Sequence, residues 1–380
     1  MTQVVRRSLL RAGLAAPLAA LAACAGEGEP APAPTSSPTG GSPSPSAASP
    51  SASATPSGSP SPRPQVAGTL LTDAQVPWGI AFLPGGDALV SMRDTGEIVL
   101  VRAGGGRSET VRQVPGIEFN GTFGGEGGLL GIALHPDGGW LYAYLTTSED
   151  NRVIRMPWPA RDPDSGHEVV LEGIAKNTYH NGGALAFGPD GMLYVSTGDA
   201  GDSSLATDRD SLNGKILRIS PAGGVPADNP FGNEVWSLGH RNVEGLAFAP
   251  DGELWASEFG DKAFDEVNRI VRGGDYGWPA SEGSDGQGGG RDPLAQWPTD
   301  ECSPAGIAIA AGHAWLGALQ GECLMSVDLS TGESRRHLTD HGRIRLVATA
   351  PDGSLWVGTS NRDGRGDPRD GDDRILRVTL

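Results

Sequence analysis

Cysteine and aromatic residues are both sparse in this 380-residue chain: it has three Cys (Cys24, Cys302 and Cys323), and 6% of its residues are Phe, Trp or Tyr. No His or Cys cluster accompanies the cysteines, so a zinc-thiolate framework is a poor reading. Basic charge is scarce as well: 29 Lys and Arg face 46 Asp and Glu, a formal net charge of −17. Phosphate backbones demand clustered Lys and Arg, which argues against nucleic acid as a partner and leaves the acidity as a source of solubility. Long helical patterns are absent, and the apolar run from Leu14 to Ala23 is too short to span a bilayer as a helix. What abounds is turn chemistry, with 58 Gly and 30 Pro, as expected of a loop-dense all-β protein.

Residues 1–24 read as an export signal. Arg6 and Arg7 precede the apolar run, and Leu21-Ala22-Ala23-Cys24 resembles the lipobox of bacterial lipoproteins, in which Cys24 is acylated and becomes the first residue. The arginine pair with Ser8-Leu9-Leu10 loosely resembles a twin-arginine signal, and the export route stays open. Cleavage removes Arg6, Arg7 and Arg11 and takes the formal charge from −17 to −20. Residues 25–64 are almost entirely Ala, Pro, Ser, Thr and Gly, too apolar-poor to offset the entropy of ordering, and are expected to form a disordered tether. The chain is therefore expected outside the cytoplasm, held to the outer face of the cell membrane only through lipid on Cys24.

Residues 65–380 carry a repeat. ALAFGPDGMLYVSTGD (184–199) joins two apolar runs through a Pro-Asp-Gly turn, the pattern of a β-hairpin. It recurs as WGIAFLPGGDALVSM (78–92), LGIALHPDGGWLYAYL (130–145), GLAFAPDGELWASE (245–258), GIAIAAGHAWLGAL (306–319) and LVATAPDGSLWVGT (346–359). A third alternating run follows each hairpin, and fainter fourth runs lie near Thr110, Glu168, Val235 and Ser334. Six such units predict an all-β, six-bladed propeller. The last unit lacks a fourth strand, and Val66 to Thr72 is expected to supply it and close the ring, hiding an open sheet edge. Cys302 and Cys323 fall in one unit, and in an oxidising compartment they are expected to form a disulfide.

Four stretches carry polar residues that a hairpin repeat does not need: GGEGGLLG (124–131), TYHNGG (178–183), GHRNVEG (239–245) and GRIR (342–345). Each directly precedes the first strand of a unit, so all four are expected at one mouth of the channel. His180 is the candidate general base there, with Asp199, at the end of the same hairpin, orienting it. Arg241, Arg343 and Arg345 form a cationic cluster suited to an anionic, carboxylate-bearing ligand. The loop NRDGRGDPRDGDD (361–373) is oxygen-rich but lacks EF-hand spacing, and reads as a solvated turn.

GGEGGLLGIALHP, SLGHRNVEGLAFAPDGELWASEFG and DEVNRIVRGGDYGWP resemble the soluble quinoprotein glucose dehydrogenase and aldose sugar dehydrogenase family, which includes glucose/sorbosone dehydrogenases. The likeness runs from about Val66 to Leu380. It implies a propeller that binds pyrroloquinoline quinone (PQQ) and Ca²⁺ at the channel mouth and oxidises the anomeric hydroxyl of an aldose to a lactone, passing electrons on to an unidentified acceptor. By the same resemblance His180 is the base, Asp199 orients it, Arg241 lies near the reacting carbonyl and Asn242 contacts the cofactor. Arg343 and Arg345 hold cofactor carboxylates. The Gly260 and Asp261 carbonyls bind the catalytic Ca²⁺; Glu266 and the Tyr276 carbonyl bind a second, structural one. The chain departs from the pattern in three places. Glu126 stands where the family has a Gln against the quinone, Asp261 replaces a Pro, and Ala318-Leu319-Gln320-Gly321 lacks a cofactor-binding Lys.

Two other readings stay open on the sequence. One is a non-catalytic ligand- or partner-binding propeller that has lost its cofactor, favoured by Glu126 and the missing Lys. The other is a metal-dependent lactonase-type hydrolase, which requires several carboxylates converging on one metal. Neither the sugar nor the oligomeric state is legible, and residues 280–296, the expected substrate loop, carry no readable pattern.

Overall fold

The computed structural model describes residues 62–118, 125–159, 166–284 and 289–380. The export signal, Cys24 and nearly all of the tether therefore lie outside the described residues. The strands run from Gln65 to Thr379 and form six four-stranded antiparallel sheets, each built from consecutive strands except the last. This is the six-bladed propeller. In the sixth blade Ile344–Thr349, Leu355–Thr359 and Ile375–Thr379 are completed by Gln65–Leu71, which pairs antiparallel with the C-terminal strand, Val66 opposite Val378. The ring thus closes between the two ends of the repeat region, as the unpaired run had indicated.

Local chemistry makes the hairpins. In the Pro-Asp-Gly turns the glycine takes positive φ (Gly191 at 74°, Gly252 at 89°), and the aspartate caps the amide two residues on, Met192 and Glu253 respectively. Neighbouring blades are then tied at their inner strands. Ser91 donates to the Leu130 carbonyl at 2.6 Å and Ser196 to the Val243 carbonyl at 2.8 Å, each bond linking one blade to the next. The innermost strands lean on one another so closely that Gly131 has no room for a side chain; a Cβ there would sit 2.2 Å from the Gly183 carbonyl oxygen. One residue or more from every blade (Gly79, Gly131, Ala184, Gly245, Gly306, Leu346) lines the resulting axial channel. Apolar side chains fill the wedges between sheets, for example Phe82 edge-on to Trp356 at 5.2 Å, joining the first blade to the sixth.

Three expectations are corrected. Blade four has a fourth strand, Ala295–Pro298, within and just beyond the stretch assigned to a substrate loop. Its sequence, Ala-Gln-Trp-Pro, has no alternation to betray it. Second, Cys302 and Cys323 are free, buried thiols, not a disulfide. Burial pushes both thiols up in pKa. Third, the loop 361–373 is solvated along its middle, where Arg362, Gly364, Arg365 and residues 367–370 are exposed, but not at its ends: Asn361, Asp363, Asp372 and Asp373 are buried.

Blade three contains a fully buried cation. The Lys215 ammonium donates to the carbonyls of Leu205, Ala206 and Asn213 at 2.6, 2.9 and 2.7 Å, and burial lowers its pKa to about 8. Its folded value lies below the unfolded one, so the charge opposes folding at neutral pH, and the penalty fades as pH rises from about 8 towards 10.5. Lys215→Met is expected to destabilise the chain by about 1–3 kcal/mol at pH 7 by orphaning the Leu205 and Asn213 carbonyls, the Ala206 carbonyl keeping the Gly239 N–H. It should also remove the stability component that grows above pH 8. Melting curves between pH 7 and 10 check both.

Candidate active site

At one end of the propeller a cavity of about 280 Å³ is lined by Glu126, His180, Arg241, Phe259, Gly260, Asp265, Thr299, Ser303, Leu319, Gln320, Arg343 and Arg365. Most of these residues come from two kinds of segment: those just before a blade's first strand and those just after its second. In an antiparallel blade both segments end on the same rim. His180, Arg241 and Arg343 are therefore brought together by strand direction alone.

His180 has φ 57°, and its Nδ1 lies 2.6 Å from Asp199 Oδ1. Asp199 is almost fully buried, accepts the Gly201 N–H on Oδ1 at 2.8 Å and the Trp278 indole N–H on Oδ2 at 2.9 Å. Burial works to raise this carboxyl, but the bonds from His180, Gly201 and Trp278 outweigh it and hold it below the ordinary carboxylate value. An ionised Asp199 fixes the proton on Nδ1 and leaves Nε2 as the basic nitrogen. Tyr179 packs edge-on against the imidazole at 4.6 Å.

Arg241 stands over the Trp278 ring at 5.6 Å and reaches Asp261 at 3.2 Å. Its buried Nε has no partner among the described residues. Arg343 is nine-tenths buried, paired with Asp363 at 3.0 Å and donating to the Leu319 carbonyl at 3.2 Å. Beside them the Gly260–Asp261 turn is held from outside: Glu282 Oε2 accepts the amides of Asp261, Lys262 and Ala263 at 2.8–3.2 Å. Among the described residues none donates to the Gly260 or Asp261 carbonyl, so both oxygens are left for another partner. Asp265 accepts the Gly260 amide at 3.0 Å, and burial raises its pKa to about 7.

Two of the expected contacts sit deeper than the cavity. Arg345 is 3% exposed, paired with the buried Glu244 below the mouth, and does not line the cavity. It lies two residues beyond Arg343 along the innermost strand, which carries it about 6–7 Å down the channel. Although burial opposes its charge, the Glu244 carboxylate raises the guanidinium above its ordinary value. Asn242 is also fully buried; its side-chain oxygen accepts the Gly182 amide at 3.0 Å, bracing the turn after His180. Glu266 is buried against Asn268 and the Gly283 amide, with burial and the nearby Glu258 charge raising its pKa to about 7. The Tyr276 ring stacks on His240 at 4.6 Å, and Glu258 joins His240 at 2.8 Å. No cluster of three or more His, Cys, Asp or Glu suited to a metal occurs among the described residues, so the convergence that a lactonase-type hydrolase needs is not found there.

Sequence reasoning missed Trp278, which ties Asp199 to Arg241, and Arg365, which enters the cavity from the sixth blade. Trp278 lay inside a quoted motif without a role. Arg365 follows the second strand of its blade, the position that in blade three gives Asp199 and in blade four Gly260; that register was the available signal.

The model of the family described as Glucose / Sorbosone dehydrogenase matches residues 74–376. The chain belongs to the glucose/sorbosone dehydrogenase family. Aldose sugar dehydrogenase YliI of Escherichia coli is 31% identical over 76% of this chain and 88% of its own length. Quinoprotein glucose dehydrogenase B of Acinetobacter calcoaceticus is 31% identical over 64% of this chain and 59% of its own. Among solved structures, the PQQ-bound aldose sugar dehydrogenase of Streptomyces coelicolor is 48% identical, with a TM-score of 0.79 over 83% of this chain and 97% of that one. The stretches GHRN, DEVN and GGDYGWP lie around this cavity and in the buried layer beneath it.

Proposed function

We propose that this chain is a PQQ- and Ca²⁺-dependent sugar dehydrogenase, which oxidises the anomeric hydroxyl of an aldose to the lactone with His180 as general base. The observation that carries the reading is the pairing of a carboxylate-fixed imidazole with three arginines, Arg241, Arg343 and Arg365, around one cavity. The donor set fits a flat, acidic cofactor: the buried Arg241 Nε lacks a partner among the described residues, and Arg343 presents a desolvated guanidinium. PQQ, when bound, supplies the two-electron acceptor. The unpaired Gly260 and Asp261 carbonyls are hard oxygen donors of the kind Ca²⁺ takes, and Glu266 with the Tyr276 carbonyl would hold the second ion.

The protein's own part is proton handling and positioning. His180 Nε2 accepts the proton of the sugar hydroxyl; Asp199 stabilises the resulting imidazolium and keeps the ring from turning. Arg241, stacked on Trp278, supplies fixed positive charge on the facing wall, where it needs no reorganisation during the reaction. Asn242 and the Arg345–Glu244 pair support this arrangement from below. Export and acylation at Cys24 would place the reaction outside the cytoplasm.

Reconstitution tests the reading. The chain freed of metal and then given PQQ and Ca²⁺ is expected to reduce a dye in the presence of aldoses, and to need both additions. Metal-dependent lactone cleavage without cofactor uptake would replace the reading with a hydrolase. Calcium should also raise the melting temperature of the cofactor-free chain, and Glu266→Gln should abolish the part of that rise due to the second ion.

A further inference from the structure

Glu126 and the absent lysine remove one cation and add one anion at a site meant for an acidic guest. The cavity itself shows what offsets this. Both terminal nitrogens of Arg365 lie 3.2 Å from Glu126 Oε1, across 239 residues of sequence. Glu126 Oε2 meanwhile accepts the backbone N–H of His180 at 2.8 Å. Arg365 is held at its root, its own amide bound to Asp363 Oδ1 at 3.0 Å, and Asp363 also clamps Arg343. One loop of the sixth blade therefore sets two of the cavity's cations, and the acidic look of residues 361–373 hides their scaffold. Arg365 keeps 44% of its side chain exposed while Glu126 keeps 12%, so the guanidinium can turn towards a guest while the carboxylate stays behind it.

We propose that Arg365 is the cofactor-positioning cation of this chain: it neutralises Glu126 and takes a carboxylate of the bound quinone, in the role that a lysine from blade five would otherwise fill. Glu126 helps to keep Arg365 over the cavity before the guest arrives, and it also fixes the His180 peptide. The inference rests on the PQQ reading above. An unpaired Glu126 facing an acidic guest repels it, so loss of Arg365 costs binding twice, through a lost attraction and an exposed anion.

The test is equilibrium titration of the full, cofactor-free chain with PQQ in the presence of Ca²⁺, followed by absorbance, with melting temperature as the folding control. Arg365→Gln is expected to weaken PQQ binding at least tenfold with an unchanged melting temperature. Arg365→Lys, which keeps the charge but loses the forked contact with Glu126, should lose clearly less affinity than Arg365→Gln. Glu126→Gln in the Arg365→Gln background should recover a substantial part of the loss, because it removes the repulsion. Parent-like affinity in Arg365→Gln overturns the inference and leaves the dehydrogenase reading standing. No PQQ binding by the parent chain overturns both.

Discussion

Replacing His180 by Ala is expected to lower turnover by about 10²–10⁴-fold, the range over which a positioned general base acts. PQQ affinity should change little. The two effects separate because His180 contacts Asp199 and Glu126, whereas the cations of the cavity are held by other partners: Arg241 by Asp261, Arg343 by Asp363 and Arg365 by Glu126. Asp199→Asn should also cut turnover strongly, since an amide cannot receive both the imidazole and the Trp278 indole on two acceptor oxygens. Steady-state rates on reconstituted enzyme, alongside PQQ titration of each variant, check the separation. Unchanged turnover in His180→Ala would take it out of the base's role.

The second large effect concerns stability. Arg345→Met should destabilise the chain by about 3–5 kcal/mol, because it leaves the Glu244 carboxylate buried and uncompensated in the channel. The melting temperature should fall on the order of 10 °C. Arg345→Met combined with Glu244→Met should recover most of the loss, since an apolar pair of similar volume removes both charges together. Thermal melts of the three proteins at pH 7 decide it. Arg345→Met melting like its parent would mean that the arginine is not a structural partner of Glu244.

These two residues mark where the sequence could and could not be read. Six hairpins with Pro-Asp-Gly or equivalent turns specify strand count and order, because turn chemistry and alternation are local. Ring closure by Val66–Thr72 followed from an unpaired apolar run at one end and a missing strand at the other. The loops bearing His180, Arg241 and Arg343 were legible for the same reason: antiparallel strands put every first-strand start on one rim. Depth along the channel was not legible. Arg343 and Arg345 stand two residues apart at the start of one strand and share a residue type, and only the position of Glu244, two blades away on blade four, separates a cavity residue from a buried one. Arg365 was hidden because its partner Glu126 lies four blades away in chain order, and its loop looks like a solvated acidic turn. Cys302 and Cys323 share a blade, which proximity in sequence could suggest, while their burial as separate free thiols could not be read from spacing.

A crystal structure of the chain soaked with PQQ and Ca²⁺ tests the central claim most directly. The quinone is expected in the cavity lined by His180, Arg241 and Arg343, with Arg365 still against Glu126 and on a carboxylate of the guest. A quinone bound anywhere else, or lying in the cavity with His180 turned away from it, would contradict the account.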